Sequence, residues 1–189
     1  MVNLAAAHPR EQAFREIYEA HYRTVLGYCA RRVPPGADPA DVTAETFTTA
    51  WRRFDDVPND HVLPWLLATA RRTLANLYRS EQRRRALIER LRTTPPRQPL
   101  DHHDIATTSD LATLALALAK LGERDLEILT LSVWEELPHR DIARAIDVAE
   151  STVAVRLHRA RRRLAKEYAK AVTGVEHHPF EDTRRGGGS

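Results

Sequence analysis

Residues 137–164 read LPHRDIARAIDVAESTVAVRLHRARRRL, and this stretch decides the fold. Ile142, Ala143 and Ile146 recur at helical spacing in its first part, and Val153, Leu157, Ala160 and Leu164 do so in its second. Three or four residues around Asp147 separate the two runs. A short helix, a tight turn and a longer helix make helix-turn-helix spacing, with small Ala side chains letting the helices approach. Asp147 stands where such turns often place Gly, and Asp tolerates the left-handed conformation better than most residues. An ordinary antiparallel helix pair has the same apolar pattern. The outward face separates the two readings: Ser151, Thr152, Arg156, His158, Arg159, Arg162 and Arg163 put hydroxyls first and guanidinium groups behind. That order suits base edges and then phosphates.

Working outward, further helices are expected at 110–120 and 123–136, with the pair itself at 139–145 and 150–171. Upstream, Phe14, Ile17, Tyr18, Tyr22, Val25, Leu26 and Cys29 form an apolar helical stripe closed by Pro34, Pro35 and Gly36. Asp38, Pro39 and Asp41 then supply an N-cap, a proline at the first helical position and a first-turn carboxylate. The helix they open carries Val42, Thr46, Phe47, Ala50, Trp51 and Phe54 on one face, with Phe47 and Trp51 read as core. A turn-rich loop, DDVPNDHVLP, leads to a third helix that starts near Pro64 and runs to about Leu91. Residues 93–109 hold three prolines and no apolar periodicity, which reads as a flexible linker. The expected fold is all-α: helical domains at 10–92 and 110–172 joined by the linker, then a polar tail at 173–189. The tail's RRGGGS end resembles an added peptide linker.

Composition narrows the function. In 189 residues, 42% hydrophobic and 29% charged content is that of a soluble globular protein. A single Cys excludes a disulfide framework and a cysteine-based zinc cage, and fits a reducing, cytoplasmic setting. The longest strictly apolar run, Leu114 to Ala119, is six residues, against the ~20 that a membrane-spanning helix needs. The net charge is only +3, but its distribution is uneven. Residues 71–92 contain eight Arg and two acids, and residues 150–166 contain six basic residues and one acid. Residues 38–56 and 123–150 are acidic. Two basic blocks suit a polyanion held at two places, leaving the acidic faces for another partner; plain solvated helix faces are the bland alternative.

At this point the chain resembles a bacterial sigma factor of the extracytoplasmic-function (ECF) group. DPADVTAETFTTAWRRF is similar to sigma region 2, with the family's acids and aromatics on Asp38, Asp41, Glu45, Phe47 and Trp51. PWLLATARRTLANLYRSEQRR resembles the segment that follows, and TVAVRLHRARRRL resembles the recognition helix of region 4. Ala44, Arg72, Ala154 and Val155 depart from residues common in the family, so no promoter sequence is carried over. The resemblance implies an alternative stress- or signal-responsive sigma factor that binds core RNA polymerase through its β′ clamp helices and β flap and directs promoter-specific initiation. Promoter DNA and an anti-sigma factor are the other implied partners. It further implies that Asp41, Glu45 and Arg52 contact the polymerase. Asp56, Asn59, Trp65, Arg71, Arg72, Asn76 and Arg79 would face the minus-ten element, although Trp65 is equally readable as core. Ser151, Thr152, Ala154, Val155, Arg156, His158, Arg159, Arg162 and Arg163 would face the upstream element.

Other chemistry finds little support. Asp101, His102, His103 and Asp104 are metal-ligand types, but adjacent residues in a Pro-flanked linker rarely converge on one ion, and His177 and His178 are similar. Cys29 lies on an apolar stripe, where a buried inert thiol is expected. No Gly-rich phosphate loop or nucleophile–base spacing occurs, so neither a cofactor, a metal nor catalysis is expected of the chain. The rival readings are a helix-turn-helix regulator that acts without polymerase and an all-helical protein-binding adaptor. A plain repressor has no use for the 38–51 segment.

Overall fold

The structure, a computed structural model, describes residues 9–91 and 109–175. The expected 93–109 linker and the 173–189 tail, with their paired histidines, lie almost wholly outside the described residues. Among those described, seven α-helices and one short 3-10 turn occur, and no strand: α1 (Pro9–Ala30), α2 (Pro39–Arg52), the turn Phe54–Asp56, α3 (Val62–Leu91), α4 (Ser109–Ala119), α5 (Glu123–Val133), α6 (His139–Ile146) and α7 (Glu150–Val175). They fall into two compact units. One comprises Met1–Pro99 with Leu131–Val153, the other Leu100–Thr130 with Ala154–Ser189.

In the first unit, local signals set the helix ends. Gly36 has φ 86°, and the Ala37 N–H bonds to the Pro34 carbonyl at 3.1 Å, a turn that needs positive φ at its third residue. The Asp38 carboxylate then accepts from the Ala40 N–H at 2.8 Å, and Pro39 opens α2. Helix α3 begins two residues before the expected Pro64. A proline is tolerated there because first-turn N–H groups have no intrahelical acceptor.

Helices α1, α2 and α3 pack on one another and α6 packs on α3. The core holds Val25, Tyr28 and Cys29 of α1, Val42, Phe47 and Ala50 of α2, and Leu66, Leu67, Ala70 and Leu74 of α3. Each fully buried Leu contributes roughly 1.5–3 kcal/mol relative to exposure. The buried Thr43 and Thr46 hydroxyls donate to the carbonyls of Pro39 and Val42 at 2.8 and 2.7 Å, which removes the cost of an unpaired hydroxyl. Phe47 is buried as expected. Trp51 is not a core residue: it is 37% exposed, meets Phe14 edge-on at 5.2 Å and lies under the Arg10 guanidinium at 4.8 Å. Arg10 also donates to the Trp51 carbonyl at 2.6 Å. A cation on the ring face and a wet edge suit an amphipathic indole at the rim.

Helix α5 was expected to reach Glu136 but stops at Val133. Glu136 has φ 52°, and the Leu137 N–H bonds to the Leu131 carbonyl at 3.1 Å, so the chain reverses through a left-handed residue that is not glycine. The 134–136 turn leaves Glu135 buried, its carboxylate 2.5 Å from Arg31 and 3.6 Å from Arg32.

In the second unit, Thr113, Ala117, Leu121, Ile128, Leu129 and Thr130 are buried, as are Leu157 and Ala160 of α7. Leu164, expected to face inward, is half-buried and lines an open apolar groove with Leu111, Leu114, Ala165 and Tyr168.

Candidate nucleic-acid interface

The helix-turn-helix turn has the conformation that its residue type favours. Asp147 caps α6 at φ 58°, ψ 61°, and the Val148 N–H bonds to the Ala143 carbonyl at 3.0 Å. Ile142, Ala143 and Ala145 of α6 are buried, and so are Val153, Leu157 and Ala160 along one face of α7. The opposite face of α7 is therefore the one offered to solvent. Ser151, Ala154, Val155, His158, Arg159, Arg162 and Arg163 are all exposed on it, and Thr152 is half-buried. Val155 is 49% exposed, a large apolar side chain among polar and basic neighbours.

Arg156 is placed differently from its companions. It is half-buried, and its Nη1 donates to Asp125 Oδ1 of α5 at 3.1 Å. Sequence reading missed this because Asp125 belongs to another helix and looks like a first-turn acid stabilising its own N-terminus.

In the first unit, Asp41, Glu45 and Arg52 are exposed on α2. Residues four and seven apart come round to one helical face. Asp56 and Asn59 are exposed before α3; Asp56 accepts from Arg53 Nε at 2.8 Å, with both side chains 57% exposed. Such a surface pair is worth at most about 1 kcal/mol and does not withhold either group from a ligand. Trp65 is half-buried. Arg71, Arg72, Asn76 and Arg79 are exposed along α3, with Arg79 Nη2 donating to Asn76 Oδ1 at 2.5 Å.

An open groove of about 500 Å³ runs between α2 and α3. Its lining joins Glu45 to Arg72 and Asn76, two sets that the sequence kept apart, and adds Arg53, Thr73 and Ser80. Thr73 lies three residues before Asn76 and Ser80 four residues past it, so helical phase was the available signal for both. Arg71 and Arg79 do not line the groove. The arrangement offers cationic and amide donors on rigid helices, which is the equipment for holding a phosphate chain or a base edge.

Cys29 is buried; burial pushes its thiol up, opposed by a hydrogen bond with Thr43 and the nearby Arg32 charge. Among the described residues, no group of three His, Cys, Asp or Glu side chains could hold a metal ion, and no helix is long and apolar enough to cross a membrane.

Comparison with known proteins divides the chain along the sequence, whereas the compact units group residues 131–153 with the upstream helices. Residues 17–84 match the family described as sigma-70 region 2, and residues 111–164 match sigma-70, region 4. The chain is 27% identical over 164 residues to RNA polymerase sigma factor YlaC of Bacillus subtilis, covering 84% of this chain and 94% of that protein. It is 28% identical over 168 residues to ECF RNA polymerase sigma factor SigL of Mycobacterium tuberculosis, covering 87% and 94%. Its fold is similar to that of sigma factor RpoE of Bartonella quintana, solved in complex with the anti-sigma factor NepR. There the TM-score is 0.59 and the identity 18%, over 84% of this chain and 98% of that one.

Proposed function

The chain belongs to the sigma-70 family of RNA polymerase sigma factors, in its ECF group, and from that premise we propose how its residues divide the work of promoter-specific initiation. We carry residues 10–92 as the sequence region that meets core polymerase and the minus-ten element, and 110–172 as the region that meets the upstream element. The chain supplies recognition and the polymerase supplies the chemistry, which takes place in the cytoplasm.

The observation that carries the assignment is the exposed face of α7. Ser151 and Thr152 come first, at the end that a helix-turn-helix offers to base edges. Ala154 and Val155 have no side-chain donors, so they contribute apolar contact with thymine methyl groups. Arg159, Arg162 and Arg163 follow and bind phosphates, with His158 beside them. Arg156 reads a base or a phosphate after leaving Asp125. Along α3, Arg71, Arg72, Asn76 and Arg79 bind the minus-ten strand, with Asp56, Asn59 and Trp65 at the mouth of the loop. Trp65 is half-buried, which supports an anchored ring with one edge available for stacking. Asp41, Glu45 and Arg52 meet the polymerase from α2, at the β′ clamp helices, while the 110–172 region meets the β flap. A protein anti-sigma factor is also proposed as a partner, since the Bartonella quintana factor of the same fold was solved with one.

Run-off transcription with purified core enzyme tests the whole reading. We expect the chain to co-purify with core polymerase and to start transcripts at defined promoters. Promoter-specific repression by the free chain, with no polymerase association, would refute it.

A further inference from the structure

Arg10 breaks a local rule. It stands in the first turn of α1, where a cation opposes that helix's own dipole, and it lies upstream of residues 17–84, which match sigma-70 region 2. Its partners belong to the end of α2 and the turn that follows. Nη2 donates to the Trp51 carbonyl at 2.6 Å, and the guanidinium lies 4.8 Å from the centre of the Trp51 ring and 5.5 Å from that of Phe54. Phe14 meets the same indole edge-on at 5.2 Å, so two side chains of α1 hold it.

The last four carbonyls of a helix lack an intrahelical donor. In α2 the Thr49 carbonyl accepts from the Arg53 N–H at 3.0 Å, and the Trp51 carbonyl accepts from Arg10. A cation at this end suits the α2 dipole, so the charge that is misplaced on α1 is well placed on α2. Beyond it the chain turns through Phe54–Asp56, with the Asp56 N–H on the Arg53 carbonyl at 2.9 Å and the Val57 N–H on the Phe54 carbonyl at 3.1 Å. Buried Val57 anchors the far side of this turn, and Arg10 against Phe54 secures the near side. Asp56 and Asn59, read above as facing the minus-ten element, flank Val57 in the sequence and are exposed.

We propose that Arg10 is a positioning residue for the minus-ten element: by gripping Trp51 and Phe54 it fixes the end of α2 and the turn after it, and so the place of Asp56 and Asn59. This role rests on the assignment of those two residues to the minus-ten element. A side chain that reads a base must be held to within about 0.5 Å, and a loop gives that precision only where supporting contacts fix it. A guanidinium can donate through its edge while its face covers a ring, so one side chain holds the helix end and the turn together. Arg10 is itself exposed, so its truncation opens no core cavity.

Two experiments on the full chain test the proposal. Hydrogen exchange needs neither polymerase nor DNA. Arg10→Ala should speed exchange of the Asp56 and Val57 amides at least tenfold, while Arg10→Lys, which keeps a donor and a cation, should stay within about threefold of the unaltered chain. Unchanged exchange at Asp56 and Val57 would overturn the proposal, and so would equal acceleration throughout α2 and α3, the mark of general destabilisation. The second experiment is run-off transcription with core polymerase over promoters varied at the minus-ten positions. Arg10→Ala should lower the ratio of transcription between the best and worst minus-ten sequences at least fivefold, and Arg10→Lys should restore it. Association with core polymerase and preference at the upstream element should stay within about twofold. In the Asn59→Ala background, Arg10→Ala should add little further loss. A ratio lowered by Asn59→Ala but not by Arg10→Ala, or an equal loss at every promoter, would overturn the positioning role alone. A ratio unmoved by Asn59→Ala would remove the minus-ten assignment and the proposal with it.

Discussion

Replacement of Asp125 by Asn separates the observed pairing of Arg156 with Asp125 from its proposed role on DNA. The Nη1–Oδ1 distance is 3.1 Å, and the side chains are 36% and 24% exposed. In an effective dielectric of about 20, opposite unit charges at this distance attract by about 5 kcal/mol before desolvation and side-chain entropy are counted. Pairs this exposed retain 0.2–1 kcal/mol in double-mutant cycles, and the lower exposure of Asp125 argues for the upper end, about 1 kcal/mol. Asp125 also stands in the first turn of α5, where a carboxylate adds about 0.3–1 kcal/mol through the helix dipole. Asp125→Asn should therefore lower unfolding free energy by about 1.5 kcal/mol in urea titration. Promoter binding by the polymerase-bound factor should move in the opposite direction. Arg156 must leave Asp125 to reach DNA, so removal of the competing carboxylate returns about 1 kcal/mol, a roughly fivefold gain in affinity. The gain should shrink as salt rises and should vanish in the Arg156→Ala background. Weaker promoter binding by Asp125→Asn at low salt would refute the reasoning and show that Asp125 positions Arg156 for DNA.

Three further outcomes are expected. Leu66→Ala, at a position with no exposure, should cost about 3 kcal/mol by chemical denaturation, and a loss below about 1 kcal/mol would mean that the α1–α3 core is looser than described. Val155→Arg should change which upstream sequence is preferred in a promoter library, whereas Arg162→Ala should weaken all promoters alike and reduce the salt dependence by about one phosphate contact; the reverse pattern would show that the helix register is wrong. Burial holds the His21 imidazole below its ordinary value of 6.5, so the unfolded chain takes up its proton first as pH falls. Stability should thus decline on acidification below about 6.5, and His21→Gln should lessen that decline; an unchanged profile would remove His21 as a cause.

The legibility of the candidate site varied with the range of the interaction. The exposed face of α7 could be read in advance because Val153, Leu157 and Ala160 mark its buried side at helical spacing, and the opposite side follows by geometry. The exposed positions of Asp41, Glu45 and Arg52 followed from Val42, Thr46 and Phe47 in the same way. Trp51 misled because it shares that apolar phase, yet it lies near the end of α2, where the core gives way to solvent and Arg10 covers the ring. The groove that joins Glu45 to Arg72 and Asn76 was illegible because it exists only where α2 and α3 meet.

What the sequence determined by itself is whatever a chain decides within a turn or two of helix. It specified the helices through apolar period, the start of α2 through Asp38 and Pro39, and the helix-turn-helix through the Asp147 left-handed turn. Each rests on contacts between residues at most a few positions apart. The tertiary structure alone decided which charges are spent internally. Arg31 and Glu135 are 104 residues apart, and Arg156 and Asp125 are 31 apart. In the sequence Arg31, Glu135 and Asp125 show no sign of a distant partner, and Arg156 reads as a DNA contact. Whether a guanidinium meets DNA or a carboxylate of its own chain depends on which helices are brought together, and no local pattern carries that information.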